Sequence, residues 1–440
     1  MTDARKWAER KVGFARLWAR TKQVLTTDPR GSDEDDQVVD EEAAKMLAAQ
    51  AGRLKGGLAK VAQLAAYDPG ATLGRRRGAS RTARAVLGEL WSHAPALGGA
   101  AIAEVIEADL GQPPQQLYAT WDATPLAAAS LGQVHAATLH DGTAVVVKVQ
   151  YPGIAEALRA DLDDAGFVRR LAGAAIGETL DARGLSVLRE AVRGELDYRA
   201  EAASQQRFAV AWAEDPVLRV PRVIGELSSA RVLTMTRAPG RAIPELVGAP
   251  AELRRQAALG IYRAVWGSPL VHRLLNADPN PGNFLVEEVP DGHAHVWCLD
   301  FGCTLELPEA VRDADRELWW GLLDRDAEAG AQRFRIGLAN AGLLQRTDSL
   351  ATHAHRDWEH ALHAPLASDG DFAWGSAYGA TFAETTTRVL ASGNVALPAD
   401  VLLLWRQRLG AAAVIGMLDA SAPFRRTLDD LIGHGKRALR

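Results

Sequence analysis

The sequence predicts an α+β fold in two lobes, and three features of the 440-residue chain support that prediction. Short apolar, β-branched runs separated by turn signals lie between residues 121 and 238 and predict strands. Residues after 308 have helix-forming composition almost throughout. Strands followed by helices, without regular alternation, are typical of the α+β class.

Composition limits the functional classes. The chain has 48% hydrophobic and 24% charged residues, as folded soluble proteins do. Its net charge of −5 gives no general basic field, so we predict no nucleic-acid partner. Cys298 and Cys303 are too few for a disulfide framework and fit no standard zinc spacing, which indicates reduced thiols. We expect a cytoplasmic protein, because the N-terminus has no signal-peptide core and the apolar run at 409–418 is short enough for a buried helix.

Three regions are predicted along the chain. Residues 1–120 form a helical extension, 121–238 a strand-containing N-lobe, and 239–440 a mostly helical C-lobe. Within the extension, residues 1–26 contain seven Lys/Arg. We expect this basic helix to pack on the protein, and peripheral contact with an anionic membrane is the alternative.

The predicted N-lobe begins with two strands, between residues 129 and 150, around a turn at 140–143. A helical stretch follows to about residue 213, and short strands lie within 220–235. In the C-lobe, residues 250–275 are predicted to be helical. A second hairpin pairs residues 284–286 with 296–299 before the helical remainder.

The strongest chemical signal is a loop followed by an Asp-Phe-Gly turn. Asp278 precedes Asn283 by five residues, and Asp300 lies 17 residues further on, after the second hairpin. Phosphoryl transfer from ATP needs a carboxylate that orients the attacking hydroxyl and oxygen ligands for Mg²⁺. The order and spacing match a kinase, with Asp278 as catalytic base and Asn283 and Asp300 as metal ligands. A polar turn beside a chance Asp-Phe-Gly is the weaker alternative.

A kinase also needs a strand lysine for the nucleotide phosphates and a glutamate that holds it. Lys148 follows Val145-Val146-Val147, close to the usual pattern. The glutamate lies within residues 195–201, where Glu195 and Glu201 are candidates. Six residues apart on a helix, they are expected to point in different directions and to have different partners.

The phosphate loop departs from the glycine-rich pattern of protein kinases. Ala127, Ala128, Ala129 and Ser130 occupy its place, and alanines allow the backbone less freedom than glycines. We therefore expect a stiffer nucleotide loop.

The hinge that would contact adenine is predicted from its position. Met235, Thr236 and Ala238 lie where a kinase hinge should be, and the backbone of Thr236 and Ala238 would face the adenine. An ordinary exit from a strand into a loop is the alternative.

Together these motifs resemble the UbiB/AarF family of atypical kinases, over about residues 45–310. The resemblance rests on the alanine-rich loop, the Val-Lys strand, the Glu-x-Asp segment and the Asp-Pro-x-Pro-Gly-Asn loop. The Lys-x-Gly-Gln motif of that family is matched by residues 60–63, with Ala62 in place of glycine. Asn276 and Asn280 replace the histidines usual in the family, so no histidine assists Asp278.

The resemblance implies a bilobal protein-kinase-like fold with an N-terminal helical extension. It implies that Lys148 pairs with Glu201. It also implies that Lys60 and Gln63 close over the active site and meet Glu195 and Asp197. The C-terminal membrane helices of the family are not apparent here.

The implied activity is Mg²⁺-dependent ATP binding with hydrolysis or phosphotransfer to a small-molecule or lipid acceptor. The resemblance places it near isoprenoid quinone or other lipid metabolism. A small-molecule phosphotransferase is one alternative, because such enzymes use a similar Asp-x-x-Pro-Gly-Asn loop. A non-catalytic, nucleotide-gated scaffold for a lipid or protein is the other.

Overall fold

The structure is a computed structural model. It describes residues 97–129, 131–156, 159, 193–290, 292–344, 353–390 and 398–437. These residues fall into two compact units. The first contains the described residues up to Gly142 and those from Val147 to 159, and the second contains Thr143–Val146 and all described residues from 193 onward. The basic segment 1–26, Lys60 and Gln63 lie outside the described residues.

The first unit begins with two helices and an antiparallel strand pair. Its elements are α1 (Gly99–Leu110), α2 (Pro114–Leu117), β1 (Thr120–Ala129), β2 (Gly132–Thr138) and most of β3 (Ala144–Gln150). Helix α1 buries Ile102, Val105 and Ile106, which share one helical face. The predicted turn before β3 is confirmed: Gly142 has a φ of 87°, and its N–H donates to Leu139 O at 2.9 Å.

Strand β1 was not predicted. It is antiparallel to β2 and contains the alanines of the expected loop, with Ala127 opposite Val134 and Ala129 opposite Gly132. The register shifts at Pro125, where the strand is irregular. Because alanine has low strand propensity and proline cannot donate to a ladder, the composition concealed this strand.

The strands of the second unit form small sheets. They are β4 (Leu218–Arg219), β5 (Val232–Thr236), β6 (Arg241–Ala242), β7 (Leu274–Asn276), β8 (Phe284–Glu288), β9 (Ala294–Cys298), β10 (Thr304–Glu306), β11 (Phe372–Trp374) and β12 (Ala420–Ala422). One sheet has the order β4-β9-β8-β6, while β7 pairs with β10 and β11 with β12. The predicted second hairpin is confirmed as β8–β9.

Helices make up most of the second unit. They are α3 (Tyr198–Ala211), α4 (Ala251–Tyr262), a π-helix (Arg263–His272), α5 (Glu309–Leu323), α6 (Ala327–Asn340), α7 (His353–His363), α8 (Ser376–Leu390), α9 (Ala399–Leu418) and α10 (Phe424–Arg437). The prediction of helix over 250–275 is confirmed as far as His272. Arg273 has a left-handed φ of 62° and ends the π-helix just before β7.

Helices α5 and α6 approach closely at glycines. A Cβ on Gly337 would lie 2.5 Å from Leu318 N, and one on Gly321 would lie 2.5 Å from Phe334 N. Real side chains do not reach such distances, so the pair packs backbone against backbone. Residues 409–418, predicted to be a buried helix, form the second half of α9. By length and composition, α9 is the one described helix that could cross a membrane, and 78% of its apolar window is buried inside the structure.

Candidate active site

A short strand pair brings the two halves of the predicted site together. Strand β7 is antiparallel to β10, with Asn276 opposite Thr304. The Asp278 loop follows β7, and the Asp-Phe-Gly turn precedes β10. The Ala277 N–H donates to Cys303 O at 2.8 Å and extends this pairing by one residue. The loop and the turn are therefore neighbours although the β8–β9 hairpin separates them in sequence.

Asn276 links the loop to the turn. Its side-chain NH₂ donates to Asp300 O at 2.7 Å, and its Oδ1 accepts the Asp278 N–H at 3.3 Å. One amide thus holds the backbone on both sides. In the sequence, Asn276 stands out only as the replacement of a histidine that is usual in the UbiB/AarF family. The signal that could have identified this role is the tendency of asparagine to bond backbone two residues ahead.

Asn283 and Asp300 present oxygen atoms that suit Mg²⁺. The Asn283 NH₂ donates to Asp278 O at 2.9 Å, which leaves the amide oxygen as the atom Asn283 can offer to a cation. Asp300 Oδ1 accepts the Gly302 N–H at 2.9 Å, so the turn itself orients the carboxylate. Hard oxygen donors of these two types are those that Mg²⁺ prefers. The residues present fit the predicted metal.

Helix α3 packs against the Asp-Phe-Gly turn. Glu201, Ser204 and Phe208 lie on one face of the helix, at spacings of three and four residues, and all are buried. The Phe208 ring lies 5.1 Å from that of Phe301, centroid to centroid. The Thr304 hydroxyl donates to Ser204 Oγ at 2.7 Å. The turn is therefore held against the helix that carries Glu201.

Glu195 and Glu201 converge on the same glycine, contrary to the expectation that they point apart. A Cβ on Gly302 would lie 3.3 Å from Glu195 Cγ and 3.6 Å from Glu201 Oε2. The expectation was wrong because the two residues do not share a helix. Asp197 is the N-cap of α3 and accepts the Arg199 N–H at 2.9 Å, so Glu195 lies in the turn before the helix. Whether the two carboxylates have different partners stays a prediction.

The first unit contains the residues predicted to hold the nucleotide phosphates. Lys148 is a buried residue of β3, with 8% of its surface exposed. The three alanines form the end of β1, and Ser130 lies outside the described residues. A Cβ on Gly132 would lie 2.0 Å from Val149 O, so only glycine allows the hairpin backbone to lie this close to β3.

The predicted hinge begins in the last two residues of strand β5, Met235 and Thr236, and continues past its end to Ala238 in the second unit. Met235 is buried, and its sulfur accepts a hydrogen bond from the Gln205 NH₂ at 3.6 Å. The Thr236 N–H donates to Arg222 O at 2.9 Å, and the Arg237 N–H donates to Ala144 O at 3.0 Å. Thr236 can therefore offer its carbonyl oxygen, rather than its N–H, to adenine. Its role and that of Ala238 stay predictions.

A small pocket adjoins the Asp278 loop and the Asp-Phe-Gly turn. Phe208, Trp212 and Phe284 contribute aromatic walls, while Asp278 and Asp300 line the same space. Cys298 lies in its lining as well, and burial together with the charge of Asp215 raises the pKa of its thiol far above the ordinary range. This cysteine is thus a packing residue and not a nucleophile.

Comparison with known proteins adds three findings. The ABC1 atypical kinase-like domain matches residues 89–333, more than half of the chain. The chain is 30% identical over 335 residues to atypical kinase COQ8B, mitochondrial, of Rattus norvegicus, a match that covers 74% of this chain and 61% of the relative. It is 32% identical over 273 residues to atypical kinase COQ8, mitochondrial, of Saccharomyces cerevisiae, covering 61% and 52% respectively.

Both matches span less than two thirds of the relatives' own length. Among solved structures, the complex of Rv3197 with erythromycin from Mycobacterium tuberculosis resembles this chain with a TM-score of 0.59 and 27% identity. That match covers 91% of this chain and 98% of the other. The predicted α+β, protein-kinase-like fold is confirmed.

Proposed function

Because the chain belongs to the family of the ABC1 atypical kinase-like domain, we propose that it binds ATP with Mg²⁺ and catalyses ATP hydrolysis or phosphotransfer to a small or lipid acceptor. One observation carries the proposal. The Asn276 side chain bonds the backbone of Asp278 and of Asp300, and Asn283 bonds Asp278 O. These bonds hold Asp278, Asn283 and Asp300 beside one another before any ligand binds. Phosphoryl transfer requires such positioning.

Each residue has a distinct task in this proposal. Asp278 orients the attacking hydroxyl or water and accepts its proton. Asn283 and Asp300 hold Mg²⁺, which neutralises charge on the phosphates. Lys148, paired with Glu201, holds the α- and β-phosphates.

The remaining predicted residues bind or restrict the nucleotide. Residues 127–130 offer backbone amides to the phosphates, and the hinge at Met235, Thr236 and Ala238 receives the adenine. Lys60 and Gln63, meeting Glu195 and Asp197, close the cleft and favour small acceptors over proteins.

Nucleotide titration tests the proposal directly. We expect ATP and ADP to raise the melting temperature of the protein, more strongly with Mg²⁺ than with EDTA, because a ligand that binds only the folded state stabilises it. Asn283→Ala and Asp300→Ala should remove the Mg²⁺-dependent part of the shift. Asp429→Asn, at an exposed position of α10, is the matched control. A wild-type protein that binds neither nucleotide by calorimetry would overturn the proposal.

The acceptor requires a second experiment. The atypical kinases COQ8B and COQ8 are described as mitochondrial, and the motif resemblance implies isoprenoid quinone or other lipid metabolism. We therefore propose a lipid-linked activity with peripheral membrane contact. ATP turnover should rise when anionic liposomes containing a quinone-like lipid are added, compared with neutral liposomes. Equal turnover under both conditions would exclude lipid coupling and leave a small-molecule phosphotransferase. Nucleotide binding without turnover under any condition would indicate the scaffold alternative.

A further inference from the structure

The first unit contains a buried polar pair that the proposed chemistry does not use. Gln133 and His135 belong to β2, are two residues apart and therefore lie on the same face of the strand. Both are completely buried, with 0% exposure. Buried polar side chains are retained where their hydrogen bonds are made, so their partners indicate what the pair does.

The Gln133 side chain bonds both the backbone N–H and the backbone C=O of Leu97. Its Oε1 accepts the Leu97 N–H at 3.0 Å, and its Nε2 donates to Leu97 O at 3.2 Å. Leu97 is the first described residue, and α1 begins two residues later. The amide therefore holds the backbone just before α1.

His135 continues the connection to β1. Its Nδ1 lies 2.8 Å from Asp122 O, and its Nε2 lies 2.9 Å from the Gln133 Nε2. A carbonyl oxygen can only accept, so Nδ1 carries the proton and Nε2 accepts from the Gln133 NH₂. Every contact in the series from Asp122 to Leu97 is satisfied when the imidazole is neutral.

The connection ends at the predicted nucleotide loop. Asp122 lies in the irregular part of β1, between Trp121 and Pro125, where the ladder register shifts. A bulge releases a carbonyl from the ladder, and here Asp122 O accepts from His135 instead. Further along β1, Ala128 is opposite Gln133 itself. One end of the series is thus Leu97, just before α1, and the other is the strand pair that bears the alanine loop.

We propose that Gln133 and His135 are positioning residues that fix the nucleotide-loop hairpin to the backbone of Leu97, just before α1, and that this anchor sets nucleotide affinity through the loop. The pair does not touch the nucleotide in this proposal. The inference rests on the proposed nucleotide role of residues 127–130. A residue that only fills the core would affect stability without coupling these two ends.

Acidification should break the hydrogen bond between the Gln133 NH₂ and His135 Nε2. Burial lowers the pKa of His135 from its ordinary value of 6.5, against the opposing effects of the Asp122 carbonyl and carboxylate. The Trp121 ring stacks on the imidazole with centroids 4.5 Å apart and brings no charge. A protonated Nε2 would be a donor facing the donor NH₂ of Gln133. The bond between them is therefore present above the ordinary histidine pKa and lost as the pH falls through the lowered value.

Three variants test the proposal by Mg-ADP affinity and by hydrogen exchange of the Leu97–Gly98 amides, in a pH series that runs from 8 down to 5 and so extends well below the ordinary histidine pKa. Gln133→Leu and His135→Phe should weaken affinity about tenfold at pH 8, the effect of losing one to two buried hydrogen bonds, and should speed exchange. Gln133→Glu should invert the pH dependence, because a carboxylate accepts from a protonated imidazole. Gln115→Leu and His140→Asn, both exposed in the same unit, are the matched controls and should behave as wild type.

The outcomes separate the two proposals. Folded Gln133→Leu and His135→Phe proteins with wild-type affinity and wild-type exchange would overturn the inference. If these two variants do not fold, the pH series of wild type against Gln133→Glu decides, and an unchanged pH dependence in Gln133→Glu overturns it. A wild-type protein that binds no nucleotide would defeat the proposed function and with it the claim that Leu97 sets affinity.

Discussion

Asp278 and Asp315 are carboxylates of the same unit with contrasting surroundings. Asp278 is partly exposed in the loop after β7, and Asn276 and Asn283 bond its N–H and its carbonyl. Asp315, on α5, is only 3% exposed and receives both NH₂ groups of Arg408 at 2.7 and 2.6 Å. The two asparagines hold the backbone of Asp278, whereas Arg408 holds the carboxylate of Asp315. The contrast fits the proposed action of Asp278 on a ligand, while the buried pair of Asp315 and Arg408 holds α5 and α9 together.

The surroundings of Arg408 also indicate that its ion pair with Asp315 is structural. Its guanidinium lies 5.0 Å from the Trp319 ring and 4.9 Å from the Trp405 ring. The Trp319 indole N–H also donates to Asp315 at 3.1 Å. An ion pair enclosed by aromatic rings is inaccessible to a substrate but couples α5 to α9.

Replacing Asp278 should give the largest effect and should act on rate alone. We expect Asp278→Asn to lower ATP turnover by about 10²–10⁴-fold, because the amide cannot accept the proton. Nucleotide affinity and the free energy of unfolding should remain those of wild type, since the backbone bonds of the loop survive. ATPase assays, calorimetry and urea denaturation measure the three quantities. Equal losses of affinity and turnover would instead make Asp278 a structural or metal-binding residue, and the comparison would fail.

Replacing Asp315 should give the converse result. Asp315→Ala leaves the Arg408 guanidinium buried without its partner, and breaking such a pair lowers the free energy of unfolding by about 3–5 kcal/mol. Turnover per folded molecule should be unchanged, as measured at a temperature where the variant is still folded. The matched control is Asp357→Ala, which removes the exposed ion pair with Arg388. That variant should lose less than about 1 kcal/mol. A stable Asp315→Ala protein without turnover would reverse the assignment.

The juxtaposition of the Asp278 loop and the Asp-Phe-Gly turn was predictable because its signals are local. Asp278, Asn283 and Asp300 keep a fixed order and spacing, and the turn residues between them favour one conformation. The resemblance to the UbiB/AarF family followed from such motifs, and it is confirmed together with the α+β fold. The β8–β9 hairpin was predictable for the same reason, since a turn signal lies between two apolar runs.

The features that were missed depend on partners distant in sequence. Arg408 lies 93 residues from Asp315, and Gln133 lies 36 residues from Leu97. A lone arginine in an apolar helix or a lone glutamine in a strand does not indicate its partner. The placement of Glu195 failed for another reason: the Asp197 cap ends one turn and begins α3, and treating 195–201 as continuous helix overlooked it. The N-cap preference of aspartate was the available signal.

The smallest expected effects come from adding one methyl group at either of two glycines. Gly302 lies in the Asp-Phe-Gly turn, and Gly337 lies where α6 packs against α5. A Cβ on Gly337 would lie 2.5 Å from Leu318 N, and backbone cannot yield without moving α5 against α6. Gly337→Ala should therefore lower the free energy of unfolding by about 1–3 kcal/mol and leave turnover per folded molecule unchanged.

Gly302→Ala should do the opposite with the same added methyl group. Its Cβ would lie 3.2 Å from Asp300 Oδ1 and 3.6 Å from Glu201 Oε2, and side chains can yield by a few tenths of an ångström. We expect a loss below about 1 kcal/mol in stability but about a tenfold loss in turnover, because small displacements of positioned groups are costly in rate. Urea denaturation and ATPase assays on both variants measure the difference. If Gly302→Ala lost stability and kept its turnover, the Asp-Phe-Gly turn would belong with the structural core, because the crowding would then act on packing rather than on Asp300.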